Sequence, residues 1–231
     1  MILCGHQVRQ EPDLFPLTRD SVALAYFSAP RRGARVLDLG AGQGYLGILL
    51  QDWAACTVDG VERDPAAAAV AADNYRICGC AGEVRAGDWR GQPAGAYDLC
   101  VSNPPYFPAG SGPAGSHPSA RRAEEDGGAS LCAAAARALK NGGRLCLCLP
   151  PEYLTDWLCA LRGAGLEPKR LRPVCRRAGH GPDLLLLEGK KGGRPGLRWL
   201  PPLLWETRTG APTAEQKRIY QGPCPAPKEH P

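Results

Sequence analysis

The eleven cysteines of this 231-residue chain never occur with the C-x-x-C spacing that is typical of zinc sites and dithiol redox centres. The only close pairs are Cys78 with Cys80 and Cys146 with Cys148. Cys146 and Cys148 alternate with leucines, and Cys100 lies in another apolar run, so we expect these three thiols to be small buried apolar side chains. The cysteine pattern therefore predicts no structural metal site.

Histidine and long apolar runs are also scarce. The four histidines, His6, His117, His180 and His230, show neither the spacing of metal ligands nor that of a catalytic triad. No apolar run approaches the length needed to cross a bilayer, and the first residues lack the basic and apolar regions of a signal peptide. These absences predict a cytoplasmic protein with no membrane segment.

What remains is an ordinary globular composition. The chain is 44% hydrophobic and carries a formal charge of +5. A length of 231 residues suits one large domain or a domain with an extension. The mild positive charge permits an anionic partner such as RNA without requiring one. We expect a domain over residues 1–205, with 1–34 as a segment flanking the site, and a C-terminal extension over 206–231 that ends in a disordered proline-rich tail.

Apolar strand patterns alternate with helix patterns along the chain. Strands are predicted over 35–39, 57–62, 83–86, 97–102, 144–149, 169–174 and 183–188, and helices over 22–27, 45–53, 66–78, 129–140 and 151–162. This alternation predicts an α/β fold with a doubly wound, seven-stranded and mostly parallel sheet. The connection 175–182 is too short for a crossover helix, so the last strand should be antiparallel to its predecessor.

A glycine-rich loop follows the first predicted strand, with the spacing Asp38-x-Gly40-x-Gly42-x-Gly44. Glycines there allow a ligand to approach the backbone closely. The letters from Gly42 to Gly47 also satisfy a dinucleotide fingerprint, but an acid beside the loop would repel a pyrophosphate and suits a ligand with a cationic amino-acid part.

Acidic residues recur at the ends of the next two strands. Glu62 can accept hydrogen bonds from the two hydroxyls of a ribose, Asp88 from an adenine amino group, and Trp89 can pack on the ring. Ligands of open α/β sheets bind at the carboxyl ends of the strands. Together with the cationic part that Asp38 suits, these residues describe S-adenosylmethionine.

The fourth predicted strand ends in the turn Asn103-Pro104-Pro105-Tyr106. The prolines have no N–H but keep their carbonyl oxygens, and Asn103 adds a side-chain oxygen. The turn can therefore present hydrogen-bond acceptors, with an aromatic ring alongside, to a group that carries two N–H bonds.

The loop Asp38–Gly44 resembles the first motif of class I S-adenosylmethionine-dependent methyltransferases, and the turn Asn103–Tyr106 resembles the fourth motif of their amino-methylating branch. Within that branch the chain is most similar to the bacterial tRNA(Val) adenine-N6 methyltransferases. The stretches 15–21, 188–197 and 201–203 support this likeness, which covers about residues 3–220. The family usually carries an Arg-His-Glu stretch after the long loop, whereas this chain has Ala120-Arg-Arg-Ala-Glu124 without the histidine.

The resemblance implies an enzyme with S-adenosylmethionine as cofactor, an RNA substrate, most simply tRNA, no metal, and a monomeric state. It implies that Asn103 and Pro104 accept the N–H bonds of an exocyclic amine while Tyr106 and Phe107 stack on a base turned out of its strand. The implied catalytic residues are Asn103, Pro104, Pro105 and Tyr106. The implied cofactor-binding residues are Thr18, Asp38, Gly40, Gly42, Gly44, Glu62, Arg63, Asp88, Trp89 and Asn103. The implied substrate-binding residues are Phe107, Arg121, Arg122, Lys190, Lys191 and Arg194.

Other functions are compatible with parts of the sequence. A glutamine-amide methyltransferase or a guanine-N2 methyltransferase would use the same turn. A non-catalytic RNA- or nucleotide-binding module would need the fold but not the intact turn. An NAD oxidoreductase would need a catalytic acid that is not evident.

Overall fold

The computed structural model describes residues 1–104 and 128–221. The helices are α1 (Arg19–Ser28), α2 (Tyr45–Ala54), α3 (Pro65–Ile77), α4 (Ala129–Ala138), α5 (Leu154–Gly163) and α6 (Ala214–Gln221). The strands are β1 (Ile2–Leu3), β2 (His6–Gln7), β3 (Arg35–Leu39), β4 (Thr57–Glu62), β5 (Val84–Ala86), β6 (Tyr97–Ser102), β7 (Leu139–Leu149), β8 (Leu166–Arg177), β9 (Leu184–Lys191), β10 (Arg198–Trp199) and β11 (Leu203–Glu206). Among these helices none is both long enough and apolar enough to cross a bilayer.

Within the described residues one sheet contains nine strands, eight of them in the order β10-β8-β9-β7-β6-β3-β4-β5, and β11 pairs with β8 beside β10. The pairs from β7 to β5 are parallel, whereas β9 is antiparallel to both β7 and β8. The predicted doubly wound sheet and its antiparallel last strand are therefore confirmed.

The sheet is larger than the seven strands that the sequence predicts. The short strands β10 and β11 add parallel pairs to β8, and Pro201 and Pro202 separate them because proline supplies no backbone donor to the ladder. Residues 1–17, for which the sequence predicts neither a helix nor a strand, begin with the small antiparallel hairpin β1–β2. The fourth predicted helix ends at Ala138 rather than residue 140, since β7 already starts at Leu139.

Helices cover both faces of the sheet. One core, which includes Leu24 of α1 and Ile48 of α2, lies against Val36 and Leu186. The other core lies against Leu37 and includes residues of α4 and α5. Burial on both faces explains why the central strands read as nearly continuous apolar runs.

Helix α1 is anchored to the sheet by a buried charged cluster. The Arg144 guanidinium donates to the carbonyl oxygen of Ser28 at 3.2 Å and to Glu188 at 2.7 Å, and the Arg170 guanidinium lies 4.5 Å from the centre of the Phe27 ring. Burial alone would raise the pKa of Glu188, but its hydrogen bonds and charge contacts with the two arginines lower it. The ionised cluster therefore fixes the end of α1, and with it the direction of the helix that reaches the site.

The C-terminal helix α6 packs onto the core that contains Leu24 and Ile48. Ile219 is only 1% exposed, and the Tyr220 ring lies 6.3 Å from the ring of Trp205. The expected division at residue 205 stays a prediction, to which the structure adds that Ile219 and Tyr220 contact the folded core. Residues 222–231 lie outside the described part of the chain.

Candidate active site

The carboxyl ends of β3, β4, β5 and β6 meet at one edge of the sheet. These strands are neighbours, with Asp38 of β3 in register with Gly60 of β4 and with Val101 of β6. The structure therefore brings together the three predicted acids and Asn103, which follow or end these strands.

Asp38 is the most unusual group at this edge. It is 1% exposed, and neither of its carboxylate oxygens has a hydrogen-bond partner among the described residues. Burial raises the pKa of the carboxyl to about 8, and the negative charge of Glu62 adds to the effect. A buried acid without a partner is costly, so a cationic ligand group at this position would be strongly stabilised.

The loop after Asp38 needs its glycines. Gly40, Gly42 and Gly44 have φ angles of 83°, 53° and 85°, a left-handed conformation that other residues rarely adopt. The amides of Gly40 and Ala41 donate to the carbonyl oxygen of Val61 at 2.9 and 3.1 Å, which fixes the loop against β4.

Gly47 has a different role from the loop glycines. It lies inside α2, and a Cβ atom at this position would overlap the Tyr75 hydroxyl. The glycine thus permits α2 and α3 to pack closely. This packing accounts for Gly47, the last glycine of the dinucleotide fingerprint, so its presence does not require a bound dinucleotide.

Glu62 supports the loop from the neighbouring strand. Its Oε2 accepts from the amide of Gly42 and its Oε1 from the amide of Asp64, each at 2.9 Å. A carboxylate oxygen can accept more than one hydrogen bond, so Glu62 keeps capacity for ligand hydroxyls. The structure therefore gives the predicted ribose contact a second task, which is to hold the glycine loop.

Asp88, Trp89 and Arg63 form one cluster beyond β5. The Asp88 carboxylate accepts from the amide of Arg90 at 2.8 Å and lies 3.8 Å from the Arg63 guanidinium, which sits 5.5 Å from the centre of the Trp89 ring. The Trp89 Nε1 is buried without a partner among the described residues. Arg63 covers one face of the indole, so a base that stacks on that face must displace it.

The turn after β6 is held by side chains from two other elements. The Asn103 Nδ2 donates to the Ser21 hydroxyl of α1 at 3.1 Å, and the Cys148 thiol of β7 donates to the Asn103 Oδ1 at 3.1 Å. Thr18 is the N-cap of α1, where its hydroxyl accepts from the amide of Ser21. Pro104 is buried, whereas Pro105, Tyr106, Phe107, Arg121 and Arg122 lie outside the described residues.

Gln43 connects the glycine loop to the N-terminal segment, a role that the sequence does not reveal. It is 1% exposed, its Oε1 accepts from the amide of Glu11 at 2.8 Å, and its Nε2 donates to the carbonyl oxygen of Phe15 at 3.0 Å. Asn74 donates to the backbone oxygen of Gln43 at 3.0 Å. In the sequence the only sign of this role is a glutamine between two glycines. Its partners Glu11 and Phe15 lie in a segment without helix or strand, so no periodic pattern points to them.

The predicted RNA-binding residues at the end of β9 and just after it lie away from the turn. Lys190 is in register with Arg144 at the middle of β7, whereas Leu185 is in register with Leu149 at its end. Five residues of strand span roughly 17 Å. Because β9 is antiparallel to β7, its last residues Lys190 and Lys191 lie toward the opposite edge of the sheet, and Arg194 follows them. The Lys191 Nζ donates to the carbonyl oxygen of Leu139, the first residue of β7, at 2.7 Å.

A cavity of about 360 Å³ lies at the edge of the sheet opposite Asp38. It is lined by Cys56, which directly precedes β4, and by Cys80, which follows α3. Cys4 and Cys78 line it as well. Burial raises the pKa of Cys4 and of Cys80 to about 12, which keeps these thiols neutral. In the two described ranges no three histidine, cysteine or acidic side chains are grouped as a metal site would require.

Comparison with known proteins agrees with this geometry. The family model of the methyltransferase small domain matches residues 21–152. The tRNA1(Val) (adenine(37)-N6)-methyltransferase of Tolumonas auensis is 33% identical over 173 residues, which cover 73% of this chain and 73% of that protein. The release factor glutamine methyltransferase of Rhodospirillum rubrum is 44% identical over 82 residues, which cover 33% of this chain and 25% of that protein.

Solved structures share the fold. A protein described as a predicted O-methyltransferase, from Agrobacterium tumefaciens, superposes with a TM-score of 0.73 at 21% identity and covers 89% of this chain and 98% of its own. At that identity the likeness concerns the fold alone.

Proposed function

The chain belongs to the methyltransferase small-domain family, and within it to the bacterial tRNA1(Val) adenine-N6 methyltransferases, and we propose that it methylates the N6 amino group of an adenine in tRNA. The observation that carries the proposal is the juxtaposition of Asn103, an amide acceptor at the end of β6, with the buried Asp38 at the end of the adjacent β3. A tRNA substrate also agrees with the cytoplasmic location that the sequence predicts.

The cofactor of the proposed reaction is S-adenosylmethionine, and the residues of the site fit it. Asp38 is a buried carboxylate that lacks a partner in the described part of the chain, which suits the ammonium of an amino-acid group. The loop Gly40–Gly44 would hold that part of the molecule, Glu62 its ribose, and Asp88 with Trp89 its adenine. When bound, S-adenosylmethionine would supply a methyl group on a sulfonium, whose sulfur would keep the electron pair of the broken carbon–sulfur bond, and the methylated amine would lose one proton to solvent.

The chain itself must activate a poor nucleophile. The lone pair of an adenine amino group is delocalised into the ring, so the planar nitrogen attacks carbon slowly. The Asn103 Oδ1 and the carbonyl oxygen of Pro104 would accept its two N–H bonds, which raises electron density on the nitrogen and favours a pyramidal geometry. The prolines bring no competing N–H donor to the turn.

The identity of the base and its tRNA rests on the relatives. The Tolumonas protein is named for adenine 37 of tRNA1(Val), and we infer the same substrate here. Tyr106 and Phe107 remain the proposed stacking residues for a flipped base. Lys190, Lys191 and Arg194 remain proposed RNA contacts, for a substrate large enough to reach the opposite edge of the sheet.

Asn103→Ala is the direct test of the proposal. By analogy with the removal of one preorganised hydrogen-bonding group, turnover on tRNA from a strain that lacks this gene should fall about 10²–10³-fold. Asn141→Ala is the matched control, since Asn141 is an exposed asparagine near the start of β7. Mass spectrometry of tRNA from the same strain should show the loss of one methyladenine, and an unchanged set of methylated nucleosides would refute the substrate.

A glutamine side-chain amide is the second candidate acceptor, because it is also a planar NH₂ group. The similarity to the Rhodospirillum release factor glutamine methyltransferase over 82 residues supports it. Labelled S-adenosylmethionine offered with tRNA and release factor together separates the two substrates. We expect label in the tRNA fraction, and label only in the protein would favour the second candidate.

A further inference from the structure

The carboxamide of Asn103 is held at both ends by buried side chains. Its Nδ2 donates to the Ser21 hydroxyl, and its Oδ1 accepts from the Cys148 thiol, with 3.1 Å between the heavy atoms in each contact. Ser21 is 8% exposed and Cys148 is fully buried. Two contacts at opposite ends of a planar group restrict rotation about the bond that joins it to Cβ.

The three residues come from separate parts of the chain. Asn103 follows β6, Ser21 lies in the first turn of α1, and Cys148 lies near the end of β7, the parallel neighbour of β6. On the other side, the Ser102 hydroxyl donates to the carbonyl oxygen of Leu39 at 2.7 Å and ties β6 to β3. The position of the amide is therefore set by tertiary packing and not by the turn alone.

We propose that Ser21 and Cys148 are positioning residues that orient the Asn103 carboxamide for transfer, an inference that rests on the proposed function. An amide oxygen has two lone pairs, so it can accept more than one hydrogen bond, and the thiol contact sets the direction in which the oxygen faces the target amine. A thiol is a weak donor, so it orients the oxygen while drawing little electron density from it. Ser21 fixes the nitrogen end and keeps that end from competing for the target.

The experiment is a double-mutant cycle on turnover. Ser21→Ala and Cys148→Ala are made alone and combined with Asn103→Ala, with tRNA from a strain that lacks this gene as substrate. Each single change should lower kcat about tenfold, the usual net value of one hydrogen bond, and leave the dissociation constant of S-adenosylmethionine unchanged in calorimetry. In the Asn103→Ala background neither change should lower kcat further.

Cys146→Ala is the matched control. Cys146 is a fully buried thiol on the same strand and the same face, but it lies 3.8 Å from Glu188 rather than beside Asn103. Its replacement should leave kcat within a few-fold of the parent value. Cys148→Ser, which restores a donor of similar size, should recover most of the turnover that Cys148→Ala loses.

A second measurement does not depend on activity. The side-chain amide signal of Asn103 in ¹⁵N spectra is identified by its disappearance in Asn103→Ala. It should move in Ser21→Ala and in Cys148→Ala and stay in place in Cys146→Ala. If Cys148→Ala does not fold, Ser21→Ala and Cys148→Ser test the same claim.

The outcomes separate the inference from the function on which it rests. Equal losses of kcat with and without Asn103, or an unmoved amide signal, would overturn the positioning roles. Full turnover in Asn103→Ala would instead overturn the proposed function, whatever the amide signal does.

Discussion

Replacement of Asp38 by asparagine should make the ligand-free protein more stable at neutral pH while it weakens cofactor binding. The folded-state pKa of this carboxyl is raised to about 8 from an ordinary value of 3.8. Between these two values the unfolded chain has released the proton and the folded chain keeps it. Stability of the parent protein is therefore full at low pH and falls as pH rises toward 8, by about 1.4 kcal/mol for each pH unit.

The amide of Asp38→Asn cannot ionise, so it does not take part in this loss. The variant should match the parent in stability near pH 4 and exceed it by about 4 kcal/mol at pH 7. A variant that lacks the negative charge also lacks the partner for a cationic group of the ligand. We expect its affinity for S-adenosylmethionine to fall at least about tenfold, the value of one charge-assisted hydrogen bond.

Urea unfolding at pH 5 and pH 7, followed by tryptophan fluorescence, measures the first effect, and calorimetric titration measures the second. Asp59→Asn is the control, because Asp59 lies on the adjacent strand and is paired with Arg35 at 3.1 Å and with the Tyr97 hydroxyl at 3.0 Å. That variant should be destabilised at both pH values. A gain for Asp38→Asn that is absent at pH 7, or equal at the two pH values, would refute the view that Asp38 is buried without a partner among the described residues.

Two further predictions concern the packing around the glycine loop. Gly47→Ala should lower the free energy of unfolding in urea by about 1–3 kcal/mol, because the added methyl group would overlap the Tyr75 hydroxyl. Adding Tyr75→Phe should recover part of that loss. A Gly47→Ala variant as stable as the parent would contradict the close approach of α2 and α3. Gln43→Ala removes the hydrogen bonds to Glu11 and Phe15, so limited proteolysis should cleave the segment around Phe15 faster than in the parent protein. A cleavage rate equal to that of the parent would show that other contacts hold the segment.

The sequence predicted the parts of the site that are set locally. The strand β3, which contains Asp38, and the strand β6, which precedes Asn103, are apolar runs in the sequence because each is buried on both faces of the sheet. Because parallel strands have their carboxyl ends at the same edge of a sheet, Asp38 and Asn103 were then expected to lie at one edge. The antiparallel β9 followed from the length of one connection.

The sequence failed where the decisive partner is distant along the chain. The resemblance implied that Lys190 contacts RNA but gave it no position, and the reversal of β9 places it toward the edge of the sheet opposite Asn103. The strands β10 and β11 are too short for a pattern and exist because β8 offers them a free edge. Cys148 read as a small buried apolar residue, which its burial supports but which omits its contact with Asn103.

By itself, then, the sequence determined the order of strands and helices, the glycine loop with Asp38, and the acceptor turn at Asn103, because side-chain period, glycine conformation and proline chemistry act over a few neighbouring residues. Only the tertiary structure decided that Asp38 is left without a partner in the described chain, that Gln43 fastens the N-terminal segment, and that Ser21 and Cys148 hold the amide of Asn103. These features depend on contacts between residues 28 to 82 positions apart, or on burial by several elements at once, and no local pattern encodes them.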